Sequence, residues 1–161
     1  MAIRDAISGD VPRMVELAAF KRAQYQEYSP VFWRPAVGAR EAQRAFFDKL
    51  VASPDWICLV HEADGFVNGF IIATVVSPPP VYDPGGKVCM IDDFVVCEPS
   101  LWPTVGSALR EEAERKAAMT GAVLSVTVCG QRDEAKRQAL LESGPHVASE
   151  WYVRAIERRI G

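Results

Sequence analysis

The chain has 161 residues, of which 49% are apolar and 24% charged, the balance of an ordinary globular domain. Its formal net charge is −3 and its basic residues cluster only near the end of the chain, which argues against nucleic acid as a partner. No apolar run is long enough to span a bilayer and no signal segment opens the chain, so we expect one cytoplasmic domain over residues 1–161 without a membrane partner.

The first part of the chain predicts a strand and two helices. Residues 2–7 alternate apolar and polar side chains, as a short strand does. Ser8, Gly9 and Asp10 supply turn and cap chemistry for a helix from Val11 to about residue 26. Residues 25–35 are rich in aromatics and proline and predict an irregular loop, after which a second helix is expected over residues 40–52.

Three strands are expected next, at residues 56–61, 66–76 and 87–97. Asp64–Gly65 between the first two is a hairpin signal, whereas the proline-rich residues 77–86 predict a longer loop. Gly69 inside the second strand indicates a bulge or a bend.

The last part of the chain alternates helices and strands. A helix is expected over residues 102–119, closed by Gly121, and another over residues 133–143. Residues 122–129 (AVLSVTVC) are apolar enough to predict a buried strand, and residues 149–156 (SEWYVRAI) predict a final one. The strand–helix–strand unit implies a parallel strand pair with a right-handed crossover.

The cysteines predict neither a disulfide framework nor a metal site. They form no CxxC motif and no cluster with histidine, and each lies in or beside an apolar run. Because free cysteine packs as a small apolar residue, we expect buried thiols and no metal ion. The four positions are Cys58, Cys89, Cys97 and Cys129.

The order of elements resembles the GNAT N-acetyltransferase superfamily over nearly the whole chain. The resemblance is carried by the run Ile91-Asp92-Asp93-Phe94-Val95-Val96, by Pro99, and by the run Thr104-Val105-Gly106-Ser107-Ala108-Leu109. In that family a strand ends in an apolar pair and a valine, and the next helix opens with Arg/Gln-x-x-Gly-x-Gly/Ala. Two positions depart from the pattern, since Leu101 stands at the Arg/Gln position and Thr104 at the first glycine.

The resemblance implies an α/β (α+β) fold with a mixed, mostly antiparallel sheet of six to seven strands and about four flanking helices. It also implies acetyl-CoA as a co-substrate, with its pyrophosphate at a helix start where backbone N–H groups and the helix dipole attract anions. The residues expected to bind it are Phe94, Val95, Val96, Trp102, Thr104, Val105, Gly106 and Ser107.

Acetyl transfer requires two proton transfers, because the attacking amine must lose a proton and the leaving thiolate must gain one. The resemblance to polyamine acetyltransferases of this superfamily favours Asp92 as the base, through a water, with Asp93 at the substrate site or in a structural role. The family often has a tyrosine as the acid where this chain has Leu140, so either solvent protonates the thiolate or another group does, with Tyr82 and Tyr152 as candidates.

The acceptor site in this fold lies near the loop between the first two helices. Aromatic faces can hold an ammonium group, so Tyr25, Tyr28 and Trp33 are candidate substrate contacts, although such a cluster can equally be packing.

The resulting hypothesis is an N-acetyltransferase, an acyltransferase that transfers groups other than aminoacyl groups. It would move an acetyl group to an amine of a small molecule or peptide by direct attack in a ternary complex. The alternatives are a non-catalytic acyl-CoA-binding regulatory domain, motivated by Leu140 and Thr104, and an interaction module that has lost the ligand. A homodimer is left open.

Overall fold

The fold is described from a computed structural model that covers residues 2–157. Five strands form one mixed sheet in the order β1-β2-β3-β4-β5, in which every neighbouring pair is antiparallel except β4 and β5. The elements are β1 (Ala2–Asp5), α1 (Val11–Tyr28), α2 (Ala39–Val51), β2 (Trp56–Ala63), β3 (Phe66–Val76), β4 (Lys87–Val96), α3 (Ser107–Ala118), β5 (Ala122–Thr127) and α4 (Glu134–Glu142).

Helices cover both faces of the sheet. On one face α1 and α2 bury Met14 and Phe47 against Phe70. On the other face α3 buries Leu109 in a cluster that also contains Phe94. Each fully buried side chain of this size contributes about 1.5–3 kcal/mol, so both layers stabilise the central strands.

Local sequence signals account for several of these elements. Asp64 and Gly65 have φ of 53° and 79°, the left-handed pair that a tight hairpin needs, so the predicted β2–β3 turn is confirmed. Gly69 lies beside a register shift, and a Cβ there would come within 3.2 Å of the Leu109 side chain of α3, the Val105 side chain just before α3 and a carbonyl of β4. The predicted irregularity at Gly69 is therefore also a point of close helix–sheet approach.

An extra residue in β4 is the feature that shapes the site. Phe94 pairs with Ile71 and Ile91 with Ala73, so two residues of β4, Asp92 and Asp93, stand opposite the single residue Ile72. This is a β-bulge, which bends a strand and turns its side chains in new directions. The bulge places both acids where the sheet opens.

The prediction of six to seven strands is wrong for residues 2–157, where five are found. Residues 149–156, predicted as the last strand, have no regular structure and are exposed, because no neighbouring strand pairs with them. Of the buried strand predicted over residues 122–129, the strand is confirmed at Ala122–Thr127 and the burial is wrong. Strand β5 forms there, but Val123, Leu124 and Val126 are exposed because no layer covers them.

Cys58 and Cys89 are buried as predicted, whereas Cys97 and Cys129 are only half-buried. Within residues 2–157, no helix combines the length and the apolar character that crossing a membrane requires.

Candidate active site

The site begins where β4 and β5 separate. Their parallel pairing runs from Lys87 to Ile91 on β4, and the N–H of Val128 still donates to the Ile91 carbonyl at 3.2 Å. Beyond that bond β4 continues without β5. The N–H of Cys97, just after β4, donates to the backbone carbonyl of Asn68 in β3 at 2.8 Å.

Backbone groups of successive strand residues point to opposite edges. The backbone groups of Cys97 point toward β3, so those of Phe94 and Val96 point toward the side that β5 has left. We call this side the open edge of β4. A pantetheine chain carries amide groups that can pair with such an edge in the manner of an added strand.

A cavity of about 270 Å³ adjoins the open edge. We call it the groove. It lies between α1, the end of β4 and the start of α4, and two cationic side chains line it, Lys21 from α1 and Arg132 from the turn before α4. Arg132 also lies over the ring of Tyr28, with its guanidinium carbon 5.8 Å from the ring centroid.

The helix start beside the groove begins with the turns Pro99–Leu101 and Trp102–Gly106, which lead directly into α3. Pro103, in the second of these turns, has no N–H to donate. Lys21 and Arg132, which line the groove beside these turns, supply two positive charges that suit an anion such as a pyrophosphate. The residues present therefore fit acetyl-CoA, although with one donor fewer than a helix start without proline.

Gly106 has a packing role in this turn. A Cβ at Gly106 would lie 2.6 Å from the Trp102 ring, so only glycine lets the indole fold back onto its own turn. The buried Trp102 ring in turn meets Phe94 edge to face, with centroids 4.8 Å apart. This pair forms an aromatic floor where the helix start meets the open edge of β4.

The two acids of the bulge have different surroundings. Asp92 is exposed, whereas Asp93 is half-buried and its Oδ1 lies 3.8 Å from the Lys21 Nζ. Burial raises the pKa of Asp93, and the nearby Lys21 charge only partly offsets that effect. Asp93 is therefore the acid with the more perturbed proton affinity, and its partner Lys21 lines the groove.

Lys136 of α4 is a fully buried lysine at the open edge. Its Nζ donates to the Phe94 carbonyl at 3.2 Å and lies 5.1 Å from the Phe94 ring centroid and 5.2 Å from that of Trp102. No carboxylate forms an ion pair with it among residues 2–157 within 4.0 Å. Burial, and secondarily the charge of Lys21, lower the pKa of Lys136 to about 7.

A lysine with that pKa exchanges its proton near neutral pH, and the aromatic rings stabilise its charged form in place of an anion. The side chain thus combines a positioned proton with a location beside the groove, which is the arrangement that acid–base chemistry requires.

Solved structures match the chain over nearly its whole length. A point mutant of the BH1408 protein from Bacillus halodurans gives a TM-score of 0.85 at 14% identity, covering 98% of this chain and 100% of that one. A ribosomal-protein-alanine N-acetyltransferase from Brucella melitensis gives 0.66 at 19% identity, covering 97% and 100%. The aminoglycoside N-acetyltransferase AAC(6')-Iy, in complex with CoA, gives 0.70 at 13% identity, covering 98% and 95%.

The fold is that of the GNAT acetyltransferases. The resemblance expected from the sequence is thereby confirmed at the level of the fold. No family model matches the chain, and neither does any curated protein sequence. Identities below 20% leave the acceptor and the roles of individual residues to be argued from this chain's own geometry.

The GNAT fold brings most of the predicted cofactor residues to the groove. Phe94, Val95, Val96 and Trp102 line it. Thr104 is exposed and Ser107 half-buried at the helix start, while the side chain of Val105 is buried in the core under α3. That these residues bind acetyl-CoA remains a proposal, in which backbone groups would make most of the contacts.

Tyr25, a predicted substrate contact, is buried within the GNAT fold. Its hydroxyl donates to Asp133 at 2.7 Å and accepts from the N–H of Gly130 at 3.2 Å. Burial raises its pKa well above the ordinary value. These bonds tie α1 to the cap of α4, since Asp133 also accepts from the backbone N–H of Lys136. The hydrogen bond between Tyr25 and Asp133 thereby helps to hold Lys136 in place at the start of α4.

The remaining predicted residues are divided between the groove and the surface. Tyr28 lines the groove, and Trp33 packs on Tyr25 with ring centroids 4.9 Å apart. Tyr82 lies in the loop between β3 and β4 with 71% of its surface exposed, and Tyr152 is exposed beyond α4. Neither tyrosine lines the groove. Among residues 2–157, His, Cys, Asp and Glu form no cluster that could hold a metal ion.

Sequence reasoning missed Lys136. The available signal was its position in α4, three residues after the Asp133 cap and one turn before Leu140, on a face that also carries Ala139. A lysine on an apolar helix face is a warning of function, because an unpaired charge is almost never fully buried.

Proposed function

We propose that the chain transfers an acetyl group from acetyl-CoA to an amine of a small molecule or peptide, by direct attack in a ternary complex. The observation that carries the proposal is Lys136, a fully buried amine held on the Phe94 carbonyl at 3.2 Å. A buried lysine without an ion-pair partner adds little to the stability of a fold, whereas a site that transfers protons at neutral pH needs a group of this kind.

Binding is assigned to backbone and cationic groups. Lys21 and Arg132 would hold the phosphates of CoA beside the turn that leads into α3, and the open edge of β4 would hold its amide-bearing arm. Acetyl-CoA supplies an acetyl group activated as a thioester. Alignment of this arm along a rigid strand supplies the positioning on which bimolecular transfer depends.

Proton transfer is assigned to two side chains. Asp93 takes the proton that the amine loses as its nitrogen bonds to the acetyl carbon, directly or through a water. Lys136 gives its Nζ proton to the sulfur as the carbon–sulfur bond breaks. The exposed carboxylate of Asp92 attracts a cationic acceptor to the bulge. The roles of the acid pair are thus exchanged relative to the sequence hypothesis, because Asp93 has the raised pKa.

The test begins with calorimetric titration by acetyl-CoA, followed by release of free thiol with a panel of primary amines. We expect binding, thiol release with at least one amine, and a loss of about 10²-fold or more in rate for Asp93→Asn. Asp92→Asn is the matched control on the adjacent residue, and we expect it to raise KM more than it lowers kcat. The reverse pattern would assign the base to Asp92.

Lys136→Met tests the acid. The ratio of the wild-type rate to the variant rate cancels the ionisation of the amine substrate. We expect this ratio to fall about tenfold per pH unit above the Lys136 pKa of about 7, because the wild type loses its donor there. A ratio independent of pH would remove Lys136 from the chemistry.

A second function, non-catalytic binding of acyl-CoA in a regulatory domain, is favoured by Leu140 and by Pro103 in the phosphate-binding turn. It predicts binding without thiol release for any amine. Absence of binding would contradict both functions and leave an interaction module.

A further inference from the structure

Arg22 interrupts the buried face of α1. The helix buries Val15 and Ala18 in the core, and the same spacing of three and four residues leads next to Arg22. Arg22 is half-buried, and its guanidinium donates to the side-chain oxygen of Gln43 in α2. Among residues 2–157 no carboxylate lies within 4.0 Å of it. A charge at such a position is normally paired, so Arg22 has room for an anionic partner.

Two arginines of α2 accompany this contact. Arg40, Gln43 and Arg44 are spaced i, i+3 and i+4, so they share one face of α2. Burial, and to a smaller extent the charge of Arg40, lower the pKa of Arg22, while Asp93 acts in the opposite direction. Arg40 and Arg44 are exposed, and neither forms an ion pair within the described residues. We call Arg22, Arg40 and Arg44 the arginine cluster. Like charges held together destabilise a fold, and a bound anion would offset that cost.

The arginine cluster lies beside the acid that we assign as the base. Asp93 comes two residues before Val95, which packs with the buried side chains of α1, so Asp93 also faces α1. Its contact with Lys21 at 3.8 Å agrees with this direction. Arg22 is the neighbour of Lys21, and its charge is another that partly offsets the raised pKa of Asp93. An amine held at Asp93 would therefore have the arginine cluster within reach of the rest of its molecule.

We propose that the acceptor carries an anionic group, a carboxylate or a phosphate, which binds the arginine cluster while the amine lies at Asp93. The inference rests on the proposed acetyl transfer, since it specifies the acceptor of that reaction by its charge. A planar guanidinium pairs with the oxygens of either anion through two parallel hydrogen bonds. Asp92 attracts the ammonium end of the same molecule, so the acceptor is a zwitterion such as an amino acid or an aminoalkyl phosphate.

The first test compares acceptors in matched pairs, with thiol release from acetyl-CoA as the readout. Glycine, β-alanine and γ-aminobutyrate are each compared with the alkylamine that remains when hydrogen replaces the carboxylate, and phosphoethanolamine is compared with ethanolamine. We expect kcat/KM to be at least about tenfold higher for the anionic member of one pair, because a charged hydrogen-bonding partner is gained. The pair with the larger ratio distinguishes carboxylate from phosphate. Equal values throughout would refute the inference and leave acetyl transfer standing.

Variants of Arg22 show whether the arginine cluster causes this preference. We expect Arg22→Gln to lower kcat/KM of the anionic acceptor about 10–100-fold and to leave that of its neutral partner nearly unchanged. Arg22→Lys keeps the charge without the planar fork and should recover part of the loss. Arg115→Gln, at an exposed position in the last turn of α3, is the control and should change neither value. Equal losses for both acceptors would show that Arg22 has only a structural role.

A second measurement needs no turnover. The arginine Nε–H signals of ¹⁵N-labelled protein are recorded by NMR during titration with each acceptor in the presence of CoA, and the Arg22 signal is assigned by its absence from Arg22→Lys. We expect it to shift with the anionic acceptor and to stay in place with the neutral partner. A shift without thiol release from any amine would contradict acetyl transfer and keep the anion site. No shift with any of the anionic acceptors would refute the anion site, whether or not transfer is found.

Discussion

Replacing Lys136 by methionine should make the protein's stability depend less on pH. Methionine is close to lysine in length and has no charge, so it fills the same buried space beside Phe94 and Trp102. In the wild type the unfolded chain holds the Lys136 proton up to about pH 10.5, whereas the folded chain releases it near pH 7. The unfolded state therefore binds more protons throughout that window, and wild-type stability rises with pH across it.

The size of the effect follows from the shift. One pKa unit corresponds to roughly 1.4 kcal/mol, so moving from 10.5 to about 7 costs the folded state about 5 kcal/mol when Lys136 must be charged. This cost is complete below about pH 7 and disappears near pH 10.5. The hydrogen bond from Lys136 to the Phe94 carbonyl contributes to the free energy of unfolding at both ends of this pH range, since a neutral amine can still donate.

The assay is urea unfolding of both proteins at several pH values, followed by circular dichroism. We expect the free energy of unfolding of Lys136→Met minus that of the wild type to fall by about 3 kcal/mol between about pH 7.5 and about pH 9.5. Lys49→Met, at an exposed position of α2, is the control and should give a constant difference. A constant difference for Lys136→Met would mean that the folded chain keeps this lysine charged, and the argument for an acid would fail.

Two further predictions concern the framework of the site. Tyr25→Phe leaves Asp133 and a backbone N–H without their partner, so we expect urea unfolding to show a loss of about 1–3 kcal/mol; a loss near zero would deny the tie between α1 and α4. Gly106→Ala pushes a Cβ to 2.6 Å from the Trp102 ring and should cost about 1–3 kcal/mol, whereas Gly9→Ala, with 3.9 Å to its nearest neighbour, should change stability by less than about 0.5 kcal/mol. Equal effects of the two alanines would show that the turn relaxes freely.

The order of elements could be predicted because each has a local cause. The hairpin at Asp64–Gly65 needs two left-handed residues, and the chain supplies them at that point. Strand β3 was predicted with the bounds Phe66–Val76 that the structure has, because β-forming residues run without interruption between two loops. Periodicity and turn chemistry are local properties, so one sequence suffices to see them.

The site could be predicted only in part, because its two decisive features depend on distant residues. The bulge at Asp92–Asp93 exists only relative to β3, where the single residue Ile72 stands opposite, and nothing in the strand's own pattern marks it. The environment of Lys136 depends on Phe94 and Trp102, about 40 and 30 residues earlier. A helical pattern places such a lysine on one face of α4, but it does not show which residues pack against that face.

The two wrong predictions about strands have a common form. The sequence predicts burial for residues 122–129 and a strand for residues 149–156. In the structure β5 is exposed, and residues 149–156 pair with no strand. Composition reflects the preference of a segment for a paired and covered strand, whereas the pairing and the cover are supplied by other parts of the molecule. Local patterns at both segments agree with a paired strand, and consistent local preferences are what a folded sequence normally shows. Whether such a preference is met depends on residues elsewhere in the chain, so a local pattern alone could not show that β5 would be uncovered or that residues 149–156 would lie unpaired.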